Sequence, residues 1–185
     1  MPLPALGLLL GDPSGIGPEL CAKLLSDKEP LWENRFAVLG EPSVLENGCK
    51  TAGIELEIPQ VNHVGEIPEE SFGMLKGPEL DYGSVVVGHA NEACGRYALD
   101  SFRRALGMCK SGDLDGFCFA PMNKESLRLG GNTHEDDLRF IGQGAGQAQA
   151  LLLAARKAAC RVRKPVPDLV QQPHAFEVEF GTILR

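Results

Sequence analysis

Gly11–Glu19 is the first of two segments whose residue types could bind a ligand. It reads GDPSGIGPE after a short apolar run, and its three glycines permit close approach of a ligand to the backbone. The spacing is not a dinucleotide fingerprint, whose third glycine would fall at Leu20, and it lacks the Gly-Lys-Ser/Thr of a P-loop. The alternative interpretation is a tight turn in which Asp12 caps Gly15 or the helix at Glu19.

The second segment, residues 121–137, follows another apolar run at residues 116–120. Lys124 could hold an anionic substrate group or assist proton transfer, and Thr133 and His134, with the acids at 135–137, form the densest group of proton-transfer and ligand-type side chains in the chain. One histidine beside adjacent acids lacks the separated ligands of a metal site, so the residues alone predict no metal ligand in this chain. The alternatives are a solvated surface lysine and acids that favour the first turn of a helix.

The remaining histidines and the cysteines predict no site. His63, His89 and His174 have no obvious ligand partners in the sequence and are expected to be ordinary polar residues. The six cysteines show no C-x-x-C and no paired spacing, which argues against a zinc knuckle, a redox motif and a disulfide framework. We expect reduced and mostly buried thiols.

Alternating strands and helices must position these two segments. The apolar runs predict strands, the 3.6-residue spacing predicts helices, and their alternation indicates a parallel α/β sheet that carries ligands at the carboxyl ends of its strands. Residues 55–82, with period-two fragments over 54–58, predict edge strands and loops. The predicted strands are 5–10, 35–40 and 116–120, and the predicted helices begin at 19, 42 and 91.

Composition and charge exclude several classes of protein. A chain of 185 residues, 43% hydrophobic and 23% charged, is neither disordered nor collagen-like, and no apolar run approaches a membrane span. The first residues lack the basic region of a signal peptide, which predicts a cytoplasmic protein. A net charge of −7 argues against nucleic acid as a partner. Residues 1–144 hold 12 basic and 22 acidic residues, whereas residues 145–185 hold six and three, so the composition changes near residue 144.

Three segments in order, Leu9–Glu19, Ala120–Lys124 and Gly131–Glu135, resemble the signatures of the 4-hydroxythreonine-4-phosphate dehydrogenase family. The resemblance covers about residues 3–141. It implies a truncated three-layer α/β/α fold of the isocitrate and isopropylmalate dehydrogenase kind, and a cytoplasmic homodimer when full length. It also implies a place in pyridoxine biosynthesis and NAD-dependent oxidation of a hydroxy acid, with decarboxylation, assisted by a divalent Zn, Mg or Mn ion.

The same resemblance assigns roles to individual residues. It makes Lys124 and Asp12 catalytic, with Asp12 and Gly15 shaping the cleft, and it makes Thr133 and His134 substrate-binding. It places the metal ligands in later segments that are not recognisable in this chain, and it leaves the residues that bind NAD unknown.

Two departures from the family pattern modify these expectations. The family reads Gly-His-Thr-Glu where this chain reads Asn-Thr-His-Glu at 132–135, which is more similar to the branch that contains terephthalate dihydrodiol dehydrogenases. The second departure is that the sequence after residue 141 turns Gln/Ala-rich and basic and matches no family segment, so residues 1–141 are predicted to be the N-terminal part of the dehydrogenase fold, and 142–185 a divergent tail, frame-shifted or artificial. The chain is expected to be an inactive fragment of the enzyme, and the alternative is a non-catalytic binding or assembly module of the same fold.

Overall fold

The apolar runs of the sequence form one six-stranded sheet in the computed structural model, which describes residues 3–27, 34–133 and 181–184. The order is β3-β4-β2-β1-β5-β6; the first five strands are parallel, and β6 pairs antiparallel with β5. The strands are β1 Ala5–Leu9, β2 Arg35–Gly40, β3 Gln60–Val61, β4 Phe72–Lys76, β5 Gly116–Phe119 and β6 Gly181–Leu184.

Four α-helices occupy the described part of the chain, and the longer ones begin and end at residues suited to those positions. Pro18 and Pro42 lie in the first turns of α1 and α2, where a missing N–H costs no hydrogen bond. The Asn91 side chain caps α3, and Gly112, in the left-handed region, ends it. The helices are α1 Gly17–Ser26, α2 Pro42–Ala52, α3 Glu92–Ser111 and α4 Lys124–Leu129.

The core lies on both faces of the sheet because successive strand residues point to opposite sides. Leu8 of β1 packs with residues of α1 and α2 such as Ala22 and Leu45. Leu9, its neighbour, packs in a second cluster with Phe102 of α3. Helices therefore cover both faces, and the α/β class predicted from the sequence is confirmed.

Two sequence expectations need correction. Residues 54–58 alternate between half-buried and exposed, but they form no strand; pairing with β4 begins only at Pro59, whose carbonyl accepts from the Met74 amide at 2.7 Å. The segment lies over the core instead, where Leu56 packs against buried residues. In the predicted edge region, β4 is internal and only β3 lies at an edge.

The strand order brings the two candidate segments to one edge of the sheet. β1 and β5 are adjacent and parallel, in register from Leu6 opposite Gly116 to Leu9 opposite Phe119. The segments that follow them therefore leave the sheet side by side at its carboxyl edge. No helix in residues 3–27 and 34–133 is long and apolar enough to cross a membrane.

Candidate functional site

Residues 11–17, here called the β1 exit, and residues 121–133, the β5 exit, are in backbone contact. The Asp12 amide donates to the Pro121 carbonyl at 3.1 Å. Gly11 has φ +78°, and a Cβ there would stand 2.6 Å from the Pro121 oxygen. A glycine is therefore required where the two exits meet.

Asp12 is buried in the β1 exit, with 2% of its surface exposed. Its Oδ1 accepts from both the amide and the hydroxyl of Ser14, at 2.8 and 2.7 Å. The capping partner is thus Ser14 and not Gly15 or α1; the Gly15 amide donates to the backbone carbonyl of Asp12. The second oxygen, Oδ2, is also buried and has no hydrogen-bond partner among the described residues.

Cys94, in the first turn of α3, lies beside this turn and was not predicted from the sequence. The pKa of its thiol is raised to about 11, because burial and, to a smaller extent, the Asp12 charge raise it more than hydrogen bonds to Ser14 lower it. The available signal was Asn91, a strong N-cap residue just before a helical pattern, whose side chain accepts from the Ala93 and Cys94 amides.

Residues 77–90, here called the strap, are hydrogen-bonded to the β1 exit. The strap is hydrogen-bonded at one end by the Gly77 amide to the Gly40 carbonyl, at 3.1 Å. Near the other end, the Gly88 amide donates to the Ser14 carbonyl at 2.7 Å. Within residues 11–17, only Gly15 and Ile16 remain exposed.

The β5 exit is open by comparison. Asn123 caps α4 by accepting from the Glu125 and Ser126 amides at 2.9 and 3.1 Å. Lys124 is the first helical residue and its side chain is exposed. A Cβ on Gly95 of α3 would stand 1.7 Å from the Ser126 carbonyl oxygen, so α4 is held tightly against α3.

The last predicted positions lie at the end of the described segment. Thr133 is exposed and follows Asn132, whose amide donates to the Leu127 carbonyl at 2.9 Å. His134 and the acids after it lie outside the described residues. The structure thus brings Asp12 and Gly15 to the same sheet edge as Lys124, and the roles given to Lys124, Asp12, Thr133 and His134 stay predictions.

The expected surface histidines and thiols agree with the described residues. His63 and His89 are exposed, and His63 pairs with Glu66 at 3.1 Å. Cys21, Cys49, Cys94 and Cys118 are buried thiols and Cys109 is a half-buried thiol, and none of these five forms a disulfide. His174 and Cys160 lie outside the described residues.

Chemically, the two exits differ in what they offer a ligand. The β5 exit presents the Lys124 ammonium and the Thr133 hydroxyl to solvent, where they can bind an anion.

In residues 3–27 and 34–133, no group of three or more His, Cys, Asp or Glu residues could hold a metal ion. The described residues therefore do not fit the divalent ion that the family resemblance implies.

Comparison with known proteins gives a family match over most of the chain. A family profile described as "Pyridoxal phosphate biosynthetic protein PdxA" matches residues 32–162. A Pseudomonas aeruginosa relative with the provisional name 4-hydroxythreonine-4-phosphate dehydrogenase 2 is 32% identical over 78% of this chain and 43% of its own length. A relative from Oceanobacillus iheyensis, provisionally named D-threonate 4-phosphate dehydrogenase, is 27% identical over 76% of this chain and 43% of its own length.

Solved structures agree with this match. The crystal structure of a 4-hydroxythreonine-4-phosphate dehydrogenase from Burkholderia phymatum is 26% identical, with a TM-score of 0.71 over 78% of this chain and 44% of that one. The chain thus spans less than half the length of the relatives it matches. Because the profile matches well over half of its residues, the chain belongs to the PdxA family of pyridoxal phosphate biosynthetic proteins.

Proposed function

We propose that this chain is the N-terminal part of an NAD-dependent, divalent-metal-requiring dehydrogenase that oxidises a phosphorylated hydroxy acid. The observation that carries the proposal is the exposed Lys124 beside a glycine-rich strand exit, in a chain of this family. The names of the relatives support the substrate class, since both 4-hydroxythreonine-4-phosphate and D-threonate 4-phosphate combine a phosphate with a hydroxy acid.

The residues of the β5 exit would act on the anionic end of such a substrate. The Lys124 ammonium would pair with a phosphate or carboxylate, and the Thr133 hydroxyl would donate a hydrogen bond to the same group. His134 is proposed to donate another. NAD accepts a hydride when bound, and we assign no step to the metal, because the described residues offer it no ligand set.

Other features of the whole enzyme belong to the same proposal. They are the isocitrate dehydrogenase kind of layering, the homodimer, the cytoplasmic location and the role in pyridoxine biosynthesis. The boundary at residue 141 is also a prediction; the family match continues to residue 162. Reading the encoding DNA beyond codon 141 in the other frames tests the divergent tail, because family-like sequence with separated histidines would support a shifted frame.

Ligand binding to the 185-residue chain tests the proposal without requiring turnover. Isothermal titration with 4-hydroxythreonine-4-phosphate and with D-threonate 4-phosphate should detect binding, and Lys124→Ala should weaken it about tenfold or more, since a hydrogen bond to a charged group is lost. Lys76→Ala is the matched control. Lys76 is an exposed lysine at the carboxyl end of β4, separated from β5 by two strands, and it pairs with Glu79 at 3.1 Å.

The outcomes separate the candidate functions. Equal losses in Lys124→Ala and Lys76→Ala would mean non-specific attraction and would contradict the proposal. Preferred binding of terephthalate dihydrodiol over both phosphates would favour the ring-diol alternative. For turnover, a full-length version should reduce NAD with one of these alcohols in the presence of Mn²⁺ or Zn²⁺; binding without turnover in that version would favour the non-catalytic module.

A further inference from the structure

Asp12 lies where the β1 exit, the β5 exit, the strap and α3 meet. We propose that Asp12 is a positioning residue: it holds these segments together at the site and does not itself contact substrate. The inference rests on the proposed function only in taking the surface around Lys124 as the substrate site.

The burial of Asp12 separates it from any ligand on that surface. Only 2% of the residue is exposed, and its Oδ2 atom is buried. Lys124 and Gly15 at the same edge are exposed. A group that transfers a proton to a substrate must come within hydrogen-bond reach of it, and Asp12 is not placed to do so.

The hydrogen bonds of Asp12 reach two of the surrounding segments. Its Oδ1 fixes Ser14 through two bonds, at 2.8 and 2.7 Å, and the Ser14 carbonyl in turn accepts from Gly88 of the strap at 2.7 Å. Its own amide donates to Pro121, three residues before Lys124. The shape of one buried turn therefore sets the place of the strap and the start of the β5 exit.

This geometry depends on one oxygen of the carboxylate and not on its charge. Oδ1 makes both side-chain hydrogen bonds, and Oδ2 has no partner among the described residues. In Asp12→Asn the amide oxygen can take the place of Oδ1 and keep both bonds from Ser14, whereas Asp12→Ala loses both. The two variants thus separate positioning from proton transfer.

Amide hydrogen exchange, followed by NMR on the full 185-residue chain, tests the proposal. In Asp12→Ala, exchange of the amides of residue 12 and Gly88 should accelerate about tenfold, because the turn that aligns them is lost. In Asp12→Asn it should stay within about twofold, and Ser14→Ala, which loses the hydroxyl bond to Asp12 but keeps the amide bond to it, should fall between them. The Val38 amide in the central strand β2 reports global opening and serves as the reference.

The Glu125 and Ser126 amide signals report the cap that places Lys124. Both should shift in Asp12→Ala and keep their wild-type positions in Asp12→Asn. Equal changes in the two variants would overturn the proposal, because the charge would then be what matters. A second outcome would also overturn the proposal. If amide exchange at residue 12 and Gly88 rises only in proportion to exchange at Val38, in Asp12→Ala and in the milder Ser14→Ala alike, then Asp12 contributes only to global stability. None of these readings needs a ligand, so they are independent of the Lys124 binding test.

Discussion

The β1 exit and the β5 exit leave adjacent strands at the same edge of the sheet, yet they are built differently. Asp12, Pro13 and Ser14 of the β1 exit are buried, and their hydrogen bonds are made within the turn itself, to Pro121 and to the strap. Lys124 and Thr133 of the β5 exit are exposed. The glycine-rich motif, although the stronger signature in the sequence, thus has mainly a structural task in the described residues, and the weaker signature carries the groups that a ligand can touch.

The two exits should also differ in how much a substitution changes the free energy of unfolding. A buried polar turn is costly to disturb, because each group that loses its partner remains out of reach of water. An exposed lysine can be removed at little cost to folding. Substitutions in the β1 exit should therefore change stability, and substitutions of the exposed Lys124 and Thr133 in the β5 exit should change ligand affinity.

Gly11→Ala should have the largest effect on the free energy of unfolding. Gly11 has φ +78°, and an added Cβ would stand 2.6 Å from the Pro121 carbonyl oxygen, so backbone strain and a backbone clash add together. We expect a loss of roughly 3 kcal/mol, measured by urea denaturation.

Gly53→Ala is the matched control for that experiment. Gly53 also has a positive φ, +67°, but nothing lies within 4 Å of its added Cβ. It should cost about 1 kcal/mol, the conformational part alone. Equal losses for the two variants would show that contact between the two exits contributes nothing to stability.

The next largest expected effect is a fall in the free energy of unfolding as the pH rises above about 9. Burial raises the pKa of Cys94 from its ordinary value near 9 to about 11 and that of Cys118 to about 12. The folded state thus holds these protons more tightly than the unfolded state, so the stabilisation is full below pH 9 and is lost as the pH rises toward the folded pKa values. Urea midpoints measured across this range should decline steadily.

Cys94→Ala links that decline to the β1 exit. The variant removes the thiol beside Asp12 and Ser14, so its urea midpoint should fall less steeply between about pH 9 and pH 11. An unchanged slope would mean that the Cys94 thiol has the same pKa in the folded and unfolded states, and so does not contribute to the decline. The slope, and not the absolute midpoint, is compared, because the alanine also leaves a small cavity.

Local sequence patterns predicted α1, α2 and α3 and the strands β1, β2 and β5, but not the short helix α4. Apolar runs and capping residues such as Asn91 and Gly112 act within a few positions along the chain, so the sequence displays them directly. The strand predicted at residues 54–58 was wrong, because the alternating burial of these residues comes from packing over the core and not from strand pairing. Which strands become neighbours is not visible in local spacing, and so β4 was placed at an edge.

The candidate site was predictable in its location but not in its internal arrangement. Both exits were expected at the carboxyl edge, where α/β sheets place their ligands, and they lie there. The burial of Asp12 could not be inferred, because the segments that meet its turn lie far along the chain: its amide donates to Pro121, and the Ser14 carbonyl accepts from Gly88 of the strap. The nearness of Cys94 likewise depends on how α3 packs against the sheet.

Asn123→Ala should have a smaller effect than the changes in the β1 exit. The Asn123 side chain accepts from two amides at the start of α4, and loss of an N-cap costs about 1 kcal/mol. Asn123→Asp keeps an acceptor in the same place and should retain most of this stability. Thermal unfolding of the three proteins measures the difference, and a loss in Asn123→Asp as large as in Asn123→Ala would rule out the cap as its source.

Lys124→Ala should have the smallest effect on folding, within about 0.5 kcal/mol, although it should cost the most ligand affinity. Its side chain is exposed, and alanine suits the first turn of a helix as well as lysine does. Asp12→Ala, at the neighbouring exit, should instead lose about 2 kcal/mol, because the Ser14 amide is left buried without its partner. Urea denaturation of both variants gives the loss of stability, and titration with 4-hydroxythreonine-4-phosphate gives the loss of affinity, so the two effects are measured separately for each residue. A destabilised Lys124→Ala with unchanged affinity would reverse the roles of the two exits, since the exposed lysine would then support the fold and not the ligand.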